Sequence, residues 1–313
     1  MHNTPYVAHV YTGKRRESGH PQTLISVADM KRRPRILAIS CVVASLYLAH
    51  VSLRGSDSKR GVLNCPKFES RQIRGTLLES YELPPPLDWE TRENWRGLLD
   101  EVILPGRQTA SWNTYYSMVC DLIRKHPSYR KRMRIIEIGT AYGGNADSLA
   151  SCFPHSTIVA VDPLLPAYDT GDAHSNALSE WAKARGLSPD EFSKAWGTGL
   201  LYDQQLKHGC RYHLLRGDSI SVGKALLSAG IEVFDVAFID GLHTYEGVRR
   251  DLSMYKQLVK DQGLMIFNDY NTSAFPGVTR AVDEFVRHIH GVLIVGDEKH
   301  PPGITNAAVT VPA

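Results

Sequence analysis

Four residues in the C-terminal half of the chain could bind a divalent cation and accept a proton. Asp240 ends one apolar run, His243 follows three positions later, and Asn268-Asp269 ends the next apolar run, 28 positions after Asp240. Carboxylate and amide oxygens are ligands that suit Mg²⁺. An imidazole with an ordinary pKa of about 6.5 can act as a general base. The pattern predicts Asp240, Asn268 and Asp269 as metal ligands and Asp240 and His243 as catalytic residues.

Each of these residues also has a structural interpretation. Asp240 could cap the helix that follows it, and Asn268-Asp269 could be turn residues before a flexible loop. A single histidine such as His243 is often a hydrogen-bonded structural residue. The metal site and the base therefore stay hypotheses at this point.

A glycine-rich turn, EIGTAYGG at 137–144, lies earlier in the chain between an apolar run and a helical pattern. Glycines let the backbone turn sharply and approach a ligand, and the start of the helix supplies free N–H groups. Dinucleotide enzymes use G-x-G-x-x-G in such a turn. Ala141 occupies the position of the second glycine, which weakens a dehydrogenase interpretation.

Two acidic residues at later strand ends strengthen the prediction of a nucleotide-like ligand. Asp162 ends the next apolar run, 23 positions after Gly139, where a carboxylate can accept hydrogen bonds from ribose hydroxyls. The segment Gly217-Asp218-Ser219 ends a third run and could border an adenine. Either Asp218 or Ser219 could instead be the N-cap of the following helix.

Short apolar runs alternate with amphipathic stretches from Arg134 onward, which is typical of a parallel sheet with crossover helices. The predicted strands are 134–139, 157–162, 212–217, 233–240, 263–269, 292–296 and 306–311. The predicted helices are 113–125, 144–152, 175–186, 189–195, 220–229, 245–260 and 277–290.

Taken in order, EIGTAYGG, VDP, GDS, FIDGLHTYEGV and GLMIFNDY resemble the class I S-adenosylmethionine-dependent methyltransferases. The likeness is strongest to the small-molecule branch, which includes cephalosporin-hydroxylase-like proteins and catechol O-methyltransferase. It runs from about residue 134 to the C-terminus. It implies an α/β, Rossmann-like methyltransferase fold with a seven-stranded, mostly parallel sheet and helices on both faces.

The resemblance also implies a cofactor site and supports the metal site. The bacterial relatives often have His-Asp where this chain has Asn268-Asp269, so the match at the metal site is incomplete. The implied cofactor residues are Glu137, Gly139 and Tyr142 for the methionine part, Gly143 in the same turn, Asp162 for the ribose, and Asp218 and Ser219 for the adenine.

The predicted function is S-adenosylmethionine-dependent methylation of a small hydroxylated substrate, with Mg²⁺ or His243, or both, assisting loss of the hydroxyl proton. One alternative is a hydroxylase-like or other non-methylating enzyme on the same fold, because fold does not fix chemistry. Another is an inactive cofactor-binding scaffold. The long crossover at 164–211 could form a lid or a contact in a homo-oligomer.

Charge is unevenly distributed along the 313 residues. The net charge is +3, but residues 1–60 carry +7 and the remainder carries −4. The basic excess therefore lies outside the predicted catalytic domain and gives no reason to expect a nucleic-acid partner.

The basic front end surrounds an apolar segment. Residues 36–53 carry no formal charge and, as a helix, would span roughly 27 Å, close to the thickness of a bilayer core. We predict a basic tail at 1–35, a membrane anchor at 36–53, a linker and helical cap at 54–106 and the catalytic domain at 107–313. A cleaved targeting segment is the alternative.

Cysteines and one glycosylation sequon bear on the location of the domain. Five scattered cysteines without a CxxC pair argue against zinc and favour buried thiols over disulfides. The flanking charges favour a cytosolic N-terminus. The sequon at Asn271, on the rim of the predicted site, favours a cytosolic catalytic domain instead. We expect a single-pass membrane protein, and the sequence leaves open on which side of the membrane the catalytic domain lies.

Overall fold

Seven short runs rich in aliphatic and β-branched residues form one sheet in the computed structural model, in the order β3-β2-β1-β4-β5-β7-β6. Strands β1 to β5 are mutually parallel, and β7 runs antiparallel to both β5 and β6. The strands are β1 Arg134–Ile138, β2 Thr157–Asp162, β3 Tyr212–Arg216, β4 Phe234–Ile239, β5 Val259–Phe267, β6 Leu293–Val295 and β7 Ala307–Thr310.

The structure describes residues 65, 81, 111–165, 173–231, 234–295 and 306–313. The chain divides into two compact units, Met1–Gly61 and Val62–Ala313, and all described residues belong to the second. The predicted tail and anchor lie outside the described residues, as does most of the predicted linker and cap. The predicted domain boundaries stay predictions.

Successive residues of a strand point to opposite faces of the sheet, and in these strands both sets are largely apolar. Helices therefore cover both faces. The first face packs against α1 to α4, and the second face packs against α5 to α7. The described helices are α1 Ser111–Lys125, α2 Gly144–Cys152, α3 Ala173–Ala184, α4 Pro189–His208, α5 Ser219–Ser228, α6 Tyr245–Tyr255 and α7 Pro276–His288. The predicted Rossmann-like methyltransferase fold is confirmed.

The strand alternation also aligns the polar residues of interest. At the carboxyl edge of the sheet, polar side chains take the positions where the next apolar residue of the first face would stand. Glu137 follows Ile135 by two positions, Asp162 follows Ala160, Asp240 follows Phe238, and Asn268 follows Ile266. The sequence therefore places these four residues on one face and at one edge.

Three element boundaries differ from the sequence prediction by four residues or more: the end of α4, the end of α6 and the start of β5. Helix α4 continues to His208 instead of ending near residue 195, although Gly197 and Gly199 are poor helix formers. Both glycines are buried in the packed helix, so tertiary contacts outweigh propensity. Strand β5 begins at Val259, since α6 ends at Tyr255 and only a short 3₁₀ turn follows.

The predicted membrane anchor is not retained. Residues 36–53 lie outside the described residues, and none of the helices in the described part of the chain is both long and apolar enough to cross a bilayer. The longest, α4, has 20 residues but carries Asp190 and Glu191 in its first turn and Lys207 and His208 in its last turn. The prediction of a single-pass, membrane-located protein is therefore wrong.

The interpretation of the cysteines as buried thiols is wrong for the four cysteines in the described part of the chain, whereas Cys41 lies outside it. Cys65 is bonded to Cys210 and Cys120 to Cys152, with sequence separations of 145 and 32 residues. Such distant partners have no signature in sequence spacing, because they are brought together only by the fold.

Candidate cofactor and acceptor site

The order of the strands identifies the edge of the sheet where a ligand fits. The chain proceeds from β1 outward to β2 and β3, and then returns to place β4 on the other side of β1. Ligands of open α/β sheets bind at such a switch point, beyond the carboxyl ends of the strands. Here the turn after β1 meets the end of β4.

Gly139 makes this meeting possible. Its φ is +84°, and a Cβ at this position would lie 1.9 Å from the carbonyl oxygen of Asp240. Only glycine accepts both the left-handed backbone and the close approach. The turn after β1 therefore lies directly against the first residue after β4.

A turn cluster of buried polar residues, Glu137, Thr140 and Asn145, lies behind Gly139. Glu137 is 1% exposed, and its Oε1 accepts a hydrogen bond of 2.8 Å from Asn145 Nδ2. Within the described residues, Glu137 Oε2, Thr140 Oγ1 and Asn145 Oδ1 are buried without a hydrogen bond of regular geometry. Burial raises the pKa of Glu137 to about 8; interactions with Thr140 and Asn145 partly offset this increase, and the Asp240 and Asp162 charges add to it.

The chemistry of the turn cluster suits a ligand rich in hydrogen-bond donors. Buried polar atoms are nearly always paired in native proteins, so several unpaired oxygens in one place point to a missing partner. A cationic ammonium group would satisfy these oxygens and would favour the ionised form of Glu137.

Asp162 lies at the end of β2, as predicted, and it supports the turn. Its Oδ2 accepts the N–H of Ala141 at 2.8 Å, and its Oδ1 accepts the N–H of Leu164 at 2.6 Å. The residue is only 2% exposed. A carboxylate can accept further hydrogen bonds, so contact with a ribose hydroxyl stays a prediction.

The third strand-end pair has structural partners. Asp218 caps α5 by accepting the N–H of Ser221 at 2.9 Å. The Ser219 hydroxyl donates to Asp251 Oδ1 at 2.5 Å, and the Tyr255 hydroxyl donates to the Ser219 carbonyl at 2.7 Å. The cap considered as an alternative is therefore present, and the adenine contact stays a prediction.

Two aromatic residues flank these turns. The Tyr142 ring packs against Trp196 of α4, with centroids 5.7 Å apart, and Gly143 is the N-cap of α2 with φ +71°. The backbone carbonyl of Tyr81 accepts the N–H of Arg216 at 2.8 Å, and the Tyr81 ring lies 2.6 Å from where a Cβ on Gly217 would be. Tyr81 could not be predicted as part of this region, because it lies far from the strands in the chain.

The acidic cluster consists of Asp240, His243, Asn268 and Asp269, which the structure brings together as predicted. His243 Nε2 lies 3.0 Å from Asp269 Oδ2 and 3.3 Å from Asp240 Oδ1. Asn268 Nδ2 donates to Asp240 Oδ1 at 2.5 Å and approaches Asp269 Oδ2 at 3.4 Å. All four residues are partly exposed, so a ligand can reach the cluster.

The electrostatics of the acidic cluster favour a positive charge at its centre. Burial alone would lower the pKa of His243, but Asp240 and Asp269 outweigh that effect and raise it to about 10. Burial raises the pKa of Asp240, whereas His243 and Asn268 partly offset the increase. The His243 ring, stacked on Phe275 at 4.3 Å, therefore sits as an imidazolium between two carboxylates.

The donor set fits a divalent cation. Asp240, His243 and Asp269 each offer one ligand atom, and these atoms lie within 4.8 Å of one another. Asn268 Oδ1 is a further oxygen, buried and without a hydrogen-bond partner among the described residues. Carboxylate and amide oxygens suit Mg²⁺, and the imidazole would also be accepted by Mn²⁺ or a later transition metal. The sequence had predicted His243 as a base only.

The sequence model of a family described as "Methyltransferase domain" matches residues 136–270. This span runs from β1, through the turn cluster, to the residue after Asp269. Residues 136–270 are a methyltransferase domain. The resemblance to the class I S-adenosylmethionine-dependent methyltransferases is confirmed, and the protein is a transferase of that class.

Solved structures similar to the methyltransferase domain include enzymes with different acceptors. CalS11, a TDP-rhamnose 3'-O-methyltransferase of calicheamicin biosynthesis, has 17% identity over 75% of this chain and 98% of its own, with a TM-score of 0.42. TomG from Streptomyces achromogenes has 13% identity, 76% and 99% coverage, and a TM-score of 0.43.

The N-methyltransferase NodS from Bradyrhizobium japonicum has 12% identity over 64% of this chain and 98% of its own, with a TM-score of 0.38. Similarities at this level do not indicate a shared acceptor. No curated protein matches the chain.

Proposed function

We propose that the methyltransferase domain transfers a methyl group from S-adenosylmethionine to a hydroxyl group of a small substrate. The observation that carries this proposal is the acidic cluster, in which an imidazole and two carboxylates meet beside the turn after β1. A hydroxyl is almost fully protonated at neutral pH, so its methylation requires a group that takes the proton. The cluster offers such a group and a cation site together.

The turn cluster provides a place for the amino-acid part of the cofactor. The unpaired oxygens of Glu137, Thr140 and Asn145 suit its ammonium group, and the proposed role of Asp162 is to accept the ribose hydroxyls. Asp218 and Ser219, at the end of β3, would then border the adenine. A cofactor held by these residues would present its methyl group near the end of β4, where the acidic cluster lies.

In the proposed reaction, the acceptor oxygen attacks the methyl carbon while the carbon–sulfur bond breaks. The products are the methyl ether and S-adenosylhomocysteine, and the hydroxyl proton passes to His243 Nε2. His243 can accept a proton only in its neutral form, so the charge of Asp240 and Asp269 must first be offset. The chemistry that a divalent cation on these two residues and Asn268 would supply is a lower pKa for the acceptor hydroxyl.

Calorimetry with S-adenosylmethionine against NAD tests the cofactor. Formation of S-adenosylhomocysteine in the presence of a panel of phenols and sugars tests turnover.

We expect His243→Asn to lower kcat by about 10²- to 10⁴-fold while leaving cofactor affinity intact. His155→Ala, which changes an exposed histidine away from the site, is the matched control. Unchanged kcat in His243→Asn would remove the base, and activity that survives EDTA would remove the cation.

A further inference from the structure

Asn306, the residue before β7, is completely buried and has no hydrogen bond on either amide atom within the described residues. An amide that loses water without gaining a partner is costly. Such a side chain in a native protein therefore calls for an explanation. Neither the strand nor the packing of β7 requires an amide here.

The register of the sheet places Asn306 beside the acidic cluster. Phe267 pairs with Ala307 and Ile266 pairs with Ala308. Asn268 and Asn306 are the residues that directly follow β5 and directly precede β7, beyond this last pair. Opposite residues of an antiparallel pair project from the same face, with Cβ atoms about 4.5–5.5 Å apart. Continued by one residue, this register would bring the Asn306 side chain next to that of Asn268.

The present orientation of Asn268 is suited to carboxylates without a cation. Its Nδ2 faces Asp240 and Asp269, while its Oδ1 is buried and unpaired among the described residues. A cation held by the two carboxylates would repel the N–H end of this amide and attract its oxygen. Half a turn about the last side-chain bond exchanges the two ends. The N–H groups of Asn268 then need an acceptor on the side away from the carboxylates.

We infer that Asn306 is a positioning residue that accepts a hydrogen bond from Asn268 Nδ2 when Asn268 directs Oδ1 toward a divalent cation. The inference rests on the cation site of the proposed function. Asn306 does not touch the cation in this arrangement. It fixes which end of the Asn268 amide faces the cation, as outer partners of metal ligands commonly do.

The test is calorimetric titration of MnCl₂ alone into the EDTA-treated full chain. We expect Asn306→Leu, which has a similar volume and no acceptor, to weaken Mn²⁺ binding by about 10- to 100-fold. Asn306→Asp keeps an acceptor oxygen and should restore the affinity at least to that of the unmodified protein. Thr310→Val on the same strand is the control, and it should leave Mn²⁺ affinity unchanged.

Thermal unfolding of the metal-free proteins separates positioning from a purely structural role. The Thr310 hydroxyl forms a hydrogen bond of 2.9 Å with His126 Nε2, so Thr310→Val should lower Tm. Asn306→Leu should not lower Tm, because its amide has no partner to lose in this state.

A fall in Tm for Asn306→Leu as large as that of the control, or failure of this variant to fold, overturns the inference. Equal Mn²⁺ affinity of Asn306→Leu and the unmodified protein also overturns it and leaves the cation site intact. So does an Asn306→Asp variant that binds as weakly as Asn306→Leu. An unmodified protein that binds no Mn²⁺ removes the cation site itself, and the inference with it.

Discussion

Replacing Glu137 with glutamine should change how the stability of the protein depends on pH. Glutamine keeps the size of the side chain and an acceptor for Asn145, but it cannot ionise. The pKa of Glu137 is raised by burial from 4.5 to about 8 in the folded protein. The folded state therefore keeps a proton that the unfolded chain releases.

The sign and size of the effect follow from this difference. The unfolded state ionises above pH 4.5 while the folded state does so only near pH 8, so folding loses stability between these values and no more beyond them. From pH 5 to pH 8 the loss is on the order of 3.5 kcal/mol. Because 1 kcal/mol shifts Tm by about 2–4 °C in a domain of this size, Tm should fall by roughly 7–14 °C.

Differential scanning calorimetry of both proteins between pH 5 and pH 8 measures this loss directly. Glu137→Gln should match the unmodified protein near pH 5 and exceed its Tm increasingly toward pH 8. Titrating groups that do not interact with Glu137 affect both proteins alike and cancel in the difference. Curves that fall in parallel would refute the assignment of a protonated Glu137.

Cofactor binding provides a second measurement on the same residue. If the ammonium group of S-adenosylmethionine pairs with Glu137, binding at pH 7 should release a proton from this carboxyl. Calorimetry in buffers with different ionisation enthalpies detects that proton. Glu137→Gln should release none, and equal proton release from both proteins would contradict the pairing.

Two further predictions concern the turn after β1 and the second disulfide. Gly139→Ala should abolish cofactor binding by forcing the turn away from Asp240. Gly230 has φ +62° and open space around it, so Gly230→Ala should cost only the backbone strain of about 1–2 kcal/mol. Calorimetric titration and Tm distinguish the two variants, and equal effects of both would exclude a steric cause. Replacing both Cys120 and Cys152 with serine should lower the free energy of unfolding by roughly 3–4 kcal/mol for a closed loop of 32 residues, measured in urea without reductant, and an unchanged midpoint would show that the bond does not constrain the unfolded chain.

The acidic cluster was predictable because parallel strands bring their carboxyl ends to one edge. Asp240, Asn268 and Asp269 each lie within two residues of an apolar run, so their positions followed from the strand assignments alone. His243 was predicted as a base but not as a ligand. Its place between two carboxylates depends on the path of the loop after β4, which local sequence does not determine.

Other residues could not be found from the sequence. The proposed role of Asn306 depends on the antiparallel pairing of β7 with β5, and no local sequence pattern predicts that pairing. Tyr81 and the two disulfides depend on contacts between distant segments. The length of α4 was underestimated because packing outweighed the low helix propensity of its glycines.

The Cys65–Cys210 bond divides the chain of the domain into a part inside a closed loop and a part outside it. It closes a ring that contains β1 and β2 with the turn cluster and the second disulfide, while β3 to β7 and the acidic cluster lie outside it. In the oxidised unfolded chain, the part with the turn cluster and Asp162 remains a restricted loop, whereas the part with Asp218, Ser219 and the acidic cluster is unrestrained. The two parts therefore begin folding with unequal conformational entropy. The proposed catalytic groups belong to the part that loses more entropy on folding.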